Sequence, residues 1–133
     1  MDLGLRNARL NFRQLERSHL MENMIYNELI RRGYRVDVGV VEVERMIEGK
    51  RKQVQYEIDF VLNKGSEKIY VQSALHVDTA EKREQESFSL RNTRDSFRKV
   101  VILDGNARPW TDEDGVNYMG VIPFMLDPNL VRF

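Results

Sequence analysis

The chain has no cysteine, which removes disulfides, thiolate zinc sites and a cysteine nucleophile. Histidine is scarce as well. His19 and His76 are too few and too far apart for a histidine-rich metal site. Three prolines and eight glycines in 133 residues leave no Pro/Gly/Ser-rich linker, repeat or low-complexity tract, so one domain over residues 1–133 is expected. Apolar runs such as Val100 to Leu103 and Gly120 to Leu126 fall far short of the ~18 residues that cross a bilayer. Met1-Asp2-Leu3-Gly4-Leu5 lacks a basic segment ahead of an apolar stretch, so the secretory pattern is absent. Charge of one sign is lacking too: 21 Lys and Arg balance 21 Asp and Glu. That excludes attachment to phosphate by bulk charge but leaves room for a local basic face. A cytoplasmic protein without a membrane partner is the expectation.

What is present is a folding composition, 41% hydrophobic and 32% charged, with a heavily ionic surface. Met21, Met24, Ile25 and Leu29 recur at helical spacing, which predicts a helix from about Leu15 to Arg32 that ends at Gly33. Val36, Val38 and Val40 alternate, and Val41 and Val43 shift the phase, which predicts a strand with a bulge near Gly39. A second strand spans about Gln53 to Leu62, with Val54, Tyr56, Ile58, Phe60 and Leu62 on one face. Asn63-Lys64-Gly65-Ser66 has hairpin chemistry, and a third strand runs from Lys68 to about Leu75. Asp78 and Glu81 resemble a capping box opening a helix to about Asn92. Strands at Arg98 to Asp104 and Asn117 to Ile122 follow, then a short helix with Pro123 in its first turn. The expected class is α/β, with a mixed central sheet flanked by helices in the order α-β-β-β-α-β-β-α.

Three residues invite a chemical reading. Glu22 borders the apolar stripe of the first helix, where an unpaired buried carboxylate is costly; the alternative is a Glu that reaches solvent. Asp59 sits between Ile58 and Phe60 in a strand, a context that disfavours Asp; the alternative is that it faces water. With Lys64-Gly65 as the turn, Glu57 lies opposite Gln72 and Asp59 opposite Tyr70, so Asp59 and Gln72 are diagonal neighbours. Two strands and a helix that bring Asp, Gln and Glu together can hold Mg²⁺ through oxygen. The set has at most two charged ligands, so weak, millimolar Mg²⁺ or Mn²⁺ binding is expected.

Glu22, Ile58-Asp59-Phe60 and Gln72-Ser73-Ala74 together resemble the PD-(D/E)xK nuclease-like superfamily, with its restriction-endonuclease-like fold. The resemblance implies catalytic and metal roles for Asp59, Gln72 and Glu22. It also implies a Lys at the position that Ala74 occupies, and a methyl group cannot polarise water or stabilise a phosphorane. More narrowly, Asp2-Leu3-Gly4-Leu5-Arg6-Asn7, His19-Leu20-Met21-Glu22-Asn23, Asn27-Glu28-Leu29, Arg32-Gly33-Tyr34, Glu57 to Val61 and Pro109-Trp110 are similar to a particular group. It is the C-terminal domain of unknown function of prokaryotic AAA+-type ATP-binding proteins. That resemblance implies an ATPase module ahead of Met1 as partner, with this chain a C-terminal fragment. No Gly-rich loop with Lys-Ser/Thr occurs here, so the chain itself carries no ATP site.

Arg6, Arg9 and Arg13, with Arg17, line one face if that stretch is helical, and Arg31, Arg32 and Arg35 form a second group. Both are candidate phosphate contacts for DNA, with a solvated surface as the alternative. Trp110 reads as a packing anchor in a loop, and His76 as a satisfied or exposed side chain near the site. Three functions follow. The first is a degenerate, non-catalytic nuclease-like module that binds a partner or nucleic acid for an attached ATPase. The second is an active Mg²⁺-dependent nuclease in which Lys64, Lys68 or Lys82 replaces the missing base. The third is a structural oligomerisation module. Leu3, Leu5, Leu10 and Phe12 are expected to line apolar surface left by the missing upstream segment and to promote self-association.

Overall fold

A computed structural model describes the backbone from Leu3 to Phe133 and side chains from Phe12 onward. In chain order the elements are α1 (Leu3–Arg31), β1 (Arg35–Ile47), β2 (Lys50–Lys64), β3 (Glu67–Ala74) and α2 (Ala80–Arg91). They continue with β4 (Arg98–Leu103), β5 (Trp110–Thr111), β6 (Asn117–Gly120) and α3 (Val121–Leu126). The sequence order holds except for β5, two residues too short to show a period. Among the described residues one sheet forms, ordered β1-β2-β3-β4-β6-β5. The first three strands are an antiparallel meander; β4 runs parallel to β3 and to β6, and β5 is antiparallel to β6. A parallel neighbour requires a crossover, and α2 supplies it between β3 and β4.

Each face of the sheet carries its own core. On one, Met21, Ile25 and Leu29 of α1 and Phe124 of α3 pack on Phe60, Leu62, Val71 and Ile102. On the other, Leu90 of α2 packs with Ile58, Val61, Ala74, Val101 and Tyr118. No described helix is long and apolar enough to cross a membrane. The first helix begins well before the expected Leu15, and Phe12 is 59% exposed. Leu3, Leu5 and Leu10 lie outside the described side chains. In α2 the cap is Thr79, whose hydroxyl accepts the Lys82 N–H at 3.1 Å, in place of the Asp78 box. Thr79 offers the same oxygen one residue later, directly ahead of the first helical residue.

The bulge expected near Gly39 lies across from it. Asp37 pairs with Val61 and Gly39 with Ile58, so Val38 alone faces both Asp59 and Phe60. The extra residue therefore belongs to β2. It reverses the phase there: Ile58 and Val61 enter the α2-side core, while Phe60 and Leu62 enter the α1-side core. The five even-numbered residues of β2 thus do not share a face as the alternation suggested. β1 keeps strict alternation through the same stretch, with Val36 in contact with the α1 side and Val41 in the α2-side core. Gly39 makes the closure possible. A Cβ there would stand 2.7 Å from Val61 Cγ2 and 3.2 Å from Ile58 Cβ.

Because both neighbours are β-branched and held in the sheet, neither yields easily. Gly39→Ala is expected to destabilise the fold by about 1–3 kcal/mol through overpacking. Urea unfolding of the two proteins checks this, and an unchanged midpoint contradicts it.

Candidate functional site

The hairpin turn is Gly65-Ser66 rather than Lys64-Gly65, since Lys64 pairs with Glu67 and Phe60 with Val71. Gly65 takes a φ of +61°, a left-handed conformation natural for glycine in a tight hairpin. The register is two residues from that expected, and Asp59 comes directly opposite Gln72. A slip of two keeps every side chain on its own face, which is why alternation alone could not distinguish the two pairings.

The regular β2–β3 ladder ends at Phe60 and Val71. Beyond it two side chains take over from the backbone. The Asp59 N–H donates to Gln72 Oε1 at 3.0 Å, and Asp59 Oδ2 accepts both the Ser73 N–H and the Ser73 hydroxyl at 2.9 Å. Ser73, which the sequence reading passed over, is the main partner of Asp59. Ser73 shares the α1-side phase of Ile69 and Val71, whereas Gln72 alternates with Tyr70 and Ala74 toward α2. Gln72 and Asp59 thus each accept a backbone N–H from the other's strand.

Glu22 is half-buried on α1. Burial, then the charge of Asp59, pushes its carboxyl above the ordinary range, with Glu57 adding and His19 opposing. Burial likewise raises Asp59; the two Ser73 hydrogen bonds hold it back, and Glu57 and Glu86 push it further. These acids sense one another's field, yet no cation joins them: the salt bridges of the described residues include none to Glu22, Glu57 or Asp59. On the α2 side a cleft of about 550 Å³ opens beside Gln72, walled by Tyr56 and Phe88 and carrying Glu57, Glu81, Glu84 and Glu86 against one cation, Arg45.

Ala74 is 5% exposed and sits in the α2-side core with Leu90 and Val101. The lysines weighed as substitutes have other neighbours. Lys64 lies 6.0 Å from the Phe133 ring, Lys68 pairs across the hairpin with Asn63, and Lys82 pairs with Glu86 at 3.0 Å. His76 is exposed and contacts Asp78 at 3.0 Å. Trp110 stacks on Tyr118 with centroids 4.3 Å apart.

The arginines divide. Arg6 and Arg9 lie outside the described side chains, and Arg13 is exposed. Arg17 donates to both oxygens of Asp104, at 2.5 and 3.0 Å, which holds that carboxyl below its usual range. Arg31 and Arg32 both bind the buried Glu28, while Arg35, the third of that group, is exposed. Arg31 above all, then Arg32, brings Glu28 down to about 2 against the cost of burial. Arg32 also donates to the Phe124 carbonyl and stacks over that ring, tying α1 to α3. A comparable knot fixes α2 to the β6 edge, where buried Asp112 accepts from Arg91 at 2.5 Å and Tyr118 at 3.1 Å. The Arg91 network was not legible beforehand, since long-range partners of lone charges leave no periodic signal, whereas Glu28 stands at helical i, i+3 and i, i+4 spacing to Arg31 and Arg32.

Asp59, Gln72 and Glu22 offer a divalent ion few oxygens that are not already hydrogen-bonded. Asp59 Oδ2 is occupied twice and Gln72 Oε1 once. Among the described residues no three His, Cys, Asp or Glu side chains form a group that could hold a metal. Calorimetry with Mg²⁺ or Mn²⁺ is expected to give dissociation constants no tighter than about 1 mM, against the several oxygen ligands such ions demand. Micromolar binding that Asp59→Ala abolishes contradicts this.

Comparison with known proteins places the chain. It is 29% identical over 126 residues to an uncharacterized protein of Haemophilus influenzae, an alignment that covers 95% of this chain and 28% of that protein. The chain thus spans under a third of the relative's length. Residues 17–124, from α1 into α3, match the family described as a domain of unknown function, DUF4143, and the chain belongs to that family.

Proposed function

We propose that this chain is a degenerate nuclease-like domain of the restriction-endonuclease type, catalytically silent and serving as a binding module for an ATPase. The observation that carries the reading is the setting of Ala74. The position where hydrolysis wants a lysine is a buried methyl within the α2-side core, and a charged amine there would be desolvated. Asp59 adds to it, because one of its two carboxylate oxygens, Oδ2, already accepts the Ser73 N–H and hydroxyl. The order α-β-β-β-α-β, with a bulged second strand at the Asp, supports the nuclease-like ancestry.

The favoured partner is protein rather than DNA. The cleft beside Gln72 carries four glutamates against one arginine, a field that repels phosphate and attracts basic groups. Arg17, Arg31 and Arg32 are already bound to carboxylates of the chain. The ATPase as partner rests on the sequence landmarks, and the relative's additional length leaves room for such a module.

Plasmid DNA and RNA incubated with the chain and Mg²⁺ are expected to show no cleavage above that given by Asp59→Ala. Nicking that Asp59→Ala removes, with circular dichroism unchanged, contradicts the silent reading.

A further inference from the structure

The sheet ends on one side in a long open edge. Among the described residues β1 pairs only with β2, so its 13 residues present a second row of backbone N–H and C=O groups without a strand partner. Edges of this length are templates for another strand unless something blocks them. Here β1 contains no proline and no lysine, the bulge lies in β2, and Val38 and Val40 are 66% and 57% exposed. The charges it carries, Arg35, Asp37, Glu42, Glu44 and Arg45, guard some registers and favour others. A cleft of about 450 Å³ follows this strand, lined by Asp37 through Glu42 and by Asn92, Thr93 and Arg94 after α2.

We propose that β1 pairs antiparallel with β1 of a second copy of this chain, joining two six-stranded sheets across a twofold axis. A symmetric antiparallel pair places one residue opposite its own copy, and the charges of β1 select which one. With Val41 at the axis, Asp37 faces Arg45 of the second copy, and Arg45 faces its Asp37. Both residues are exposed, and both lie in the phase of Val41, on the α2 side. The register centred on Val40 would set Arg35 against Arg45, and those centred on Glu42 or Val43 would set glutamates against each other. Val41 is also the midpoint of Arg35–Ile47, so this register alone overlaps the strands end to end. Like charges directly opposite destabilise a ladder while opposite charges support it. The contact uses none of the residues Glu22, Asp59, Gln72 and Ala74, and it is separate from the apolar segment Leu3 to Phe12.

Sedimentation equilibrium of the 133-residue chain at 1–100 μM tests it, with an expected mass at the top of the range of twice the 15.7 kDa chain. Asp37→Arg and Arg45→Asp are each expected to weaken the dimer about tenfold or more, since two attractive cross-strand pairs become repulsive. The double variant Asp37→Arg/Arg45→Asp is expected to restore it, which no loss of the internal contacts of Asp37 with Asn63 or Arg45 with Tyr56 could do. Amide exchange of the unaltered chain provides a readout independent of variants: β1 amides should gain protection as concentration rises. A monomer throughout, a dimer indifferent to both reversals, or reversals that weaken it without rescue in the folded double variant each overturns the proposal.

Discussion

One extra residue in β2 sets the direction of every side chain around the candidate site. With Val38 facing both Asp59 and Phe60, the strand enters the bulge with Ile58 toward α2 and leaves it with Phe60 toward α1. The bulge also ends the ladder to β3, and an unpaired buried amide costs about 1–3 kcal/mol. Gln72 and Asp59 supply the missing acceptors for the Asp59 and Ser73 N–H groups. Asp59 and Gln72, which the sequence singled out for chemistry, are therefore also what closes the sheet.

The same economy governs charge. A chain of zero formal net charge commits arginines to internal carboxylates: Arg17 to Asp104, Arg31 and Arg32 to Glu28, Arg91 to Asp112. The Arg17 and Arg91 pairs tie α1 and α2 to the loops that follow β4 and β5, while the Glu28 pairs close the end of α1. What remains around the site is acidic, Glu22 raised by burial and by Asp59, Asp59 raised by burial with Glu57 and Glu86, and a glutamate-rich cleft on the α2 side. The local field differs in sign from what a phosphate-binding surface needs, although the composition is balanced.

Much of the fold was legible because it rests on local periodicity. Met21, Ile25 and Leu29 gave the buried stripe of α1, and the valines of β1 gave an alternating strand. The family landmarks Glu28 and Arg32 prove to be a buried ion pair, a role that spacing within one helix allows but does not announce. The bulge was sensed from Val41 and Val43 but assigned to the wrong strand, since both partners of a bulged pair show a phase change relative to each other. The hairpin register was missed by two because Lys64-Gly65 and Gly65-Ser66 are both acceptable turns, and a shift of two leaves faces unchanged. That slip concealed Ser73, which sets the chemistry of Asp59 more than Gln72 does. β5 escaped because two residues carry no period; Trp110, within it, was read as an anchor and stacks on Tyr118.

We propose that Asp59 serves as a structural acceptor for Ser73 rather than as a metal ligand. Carbon-detected NMR titration of the Asp59 carboxyl, without Mg²⁺ and with Mg²⁺ at about 20 mM, well above the dissociation constant of a millimolar oxygen site, tests it most directly. The expected result is a midpoint above the ordinary value of 3.8 that is the same in both titrations. A midpoint driven downward by Mg²⁺, with the Ser73 amide shifting in step, contradicts it.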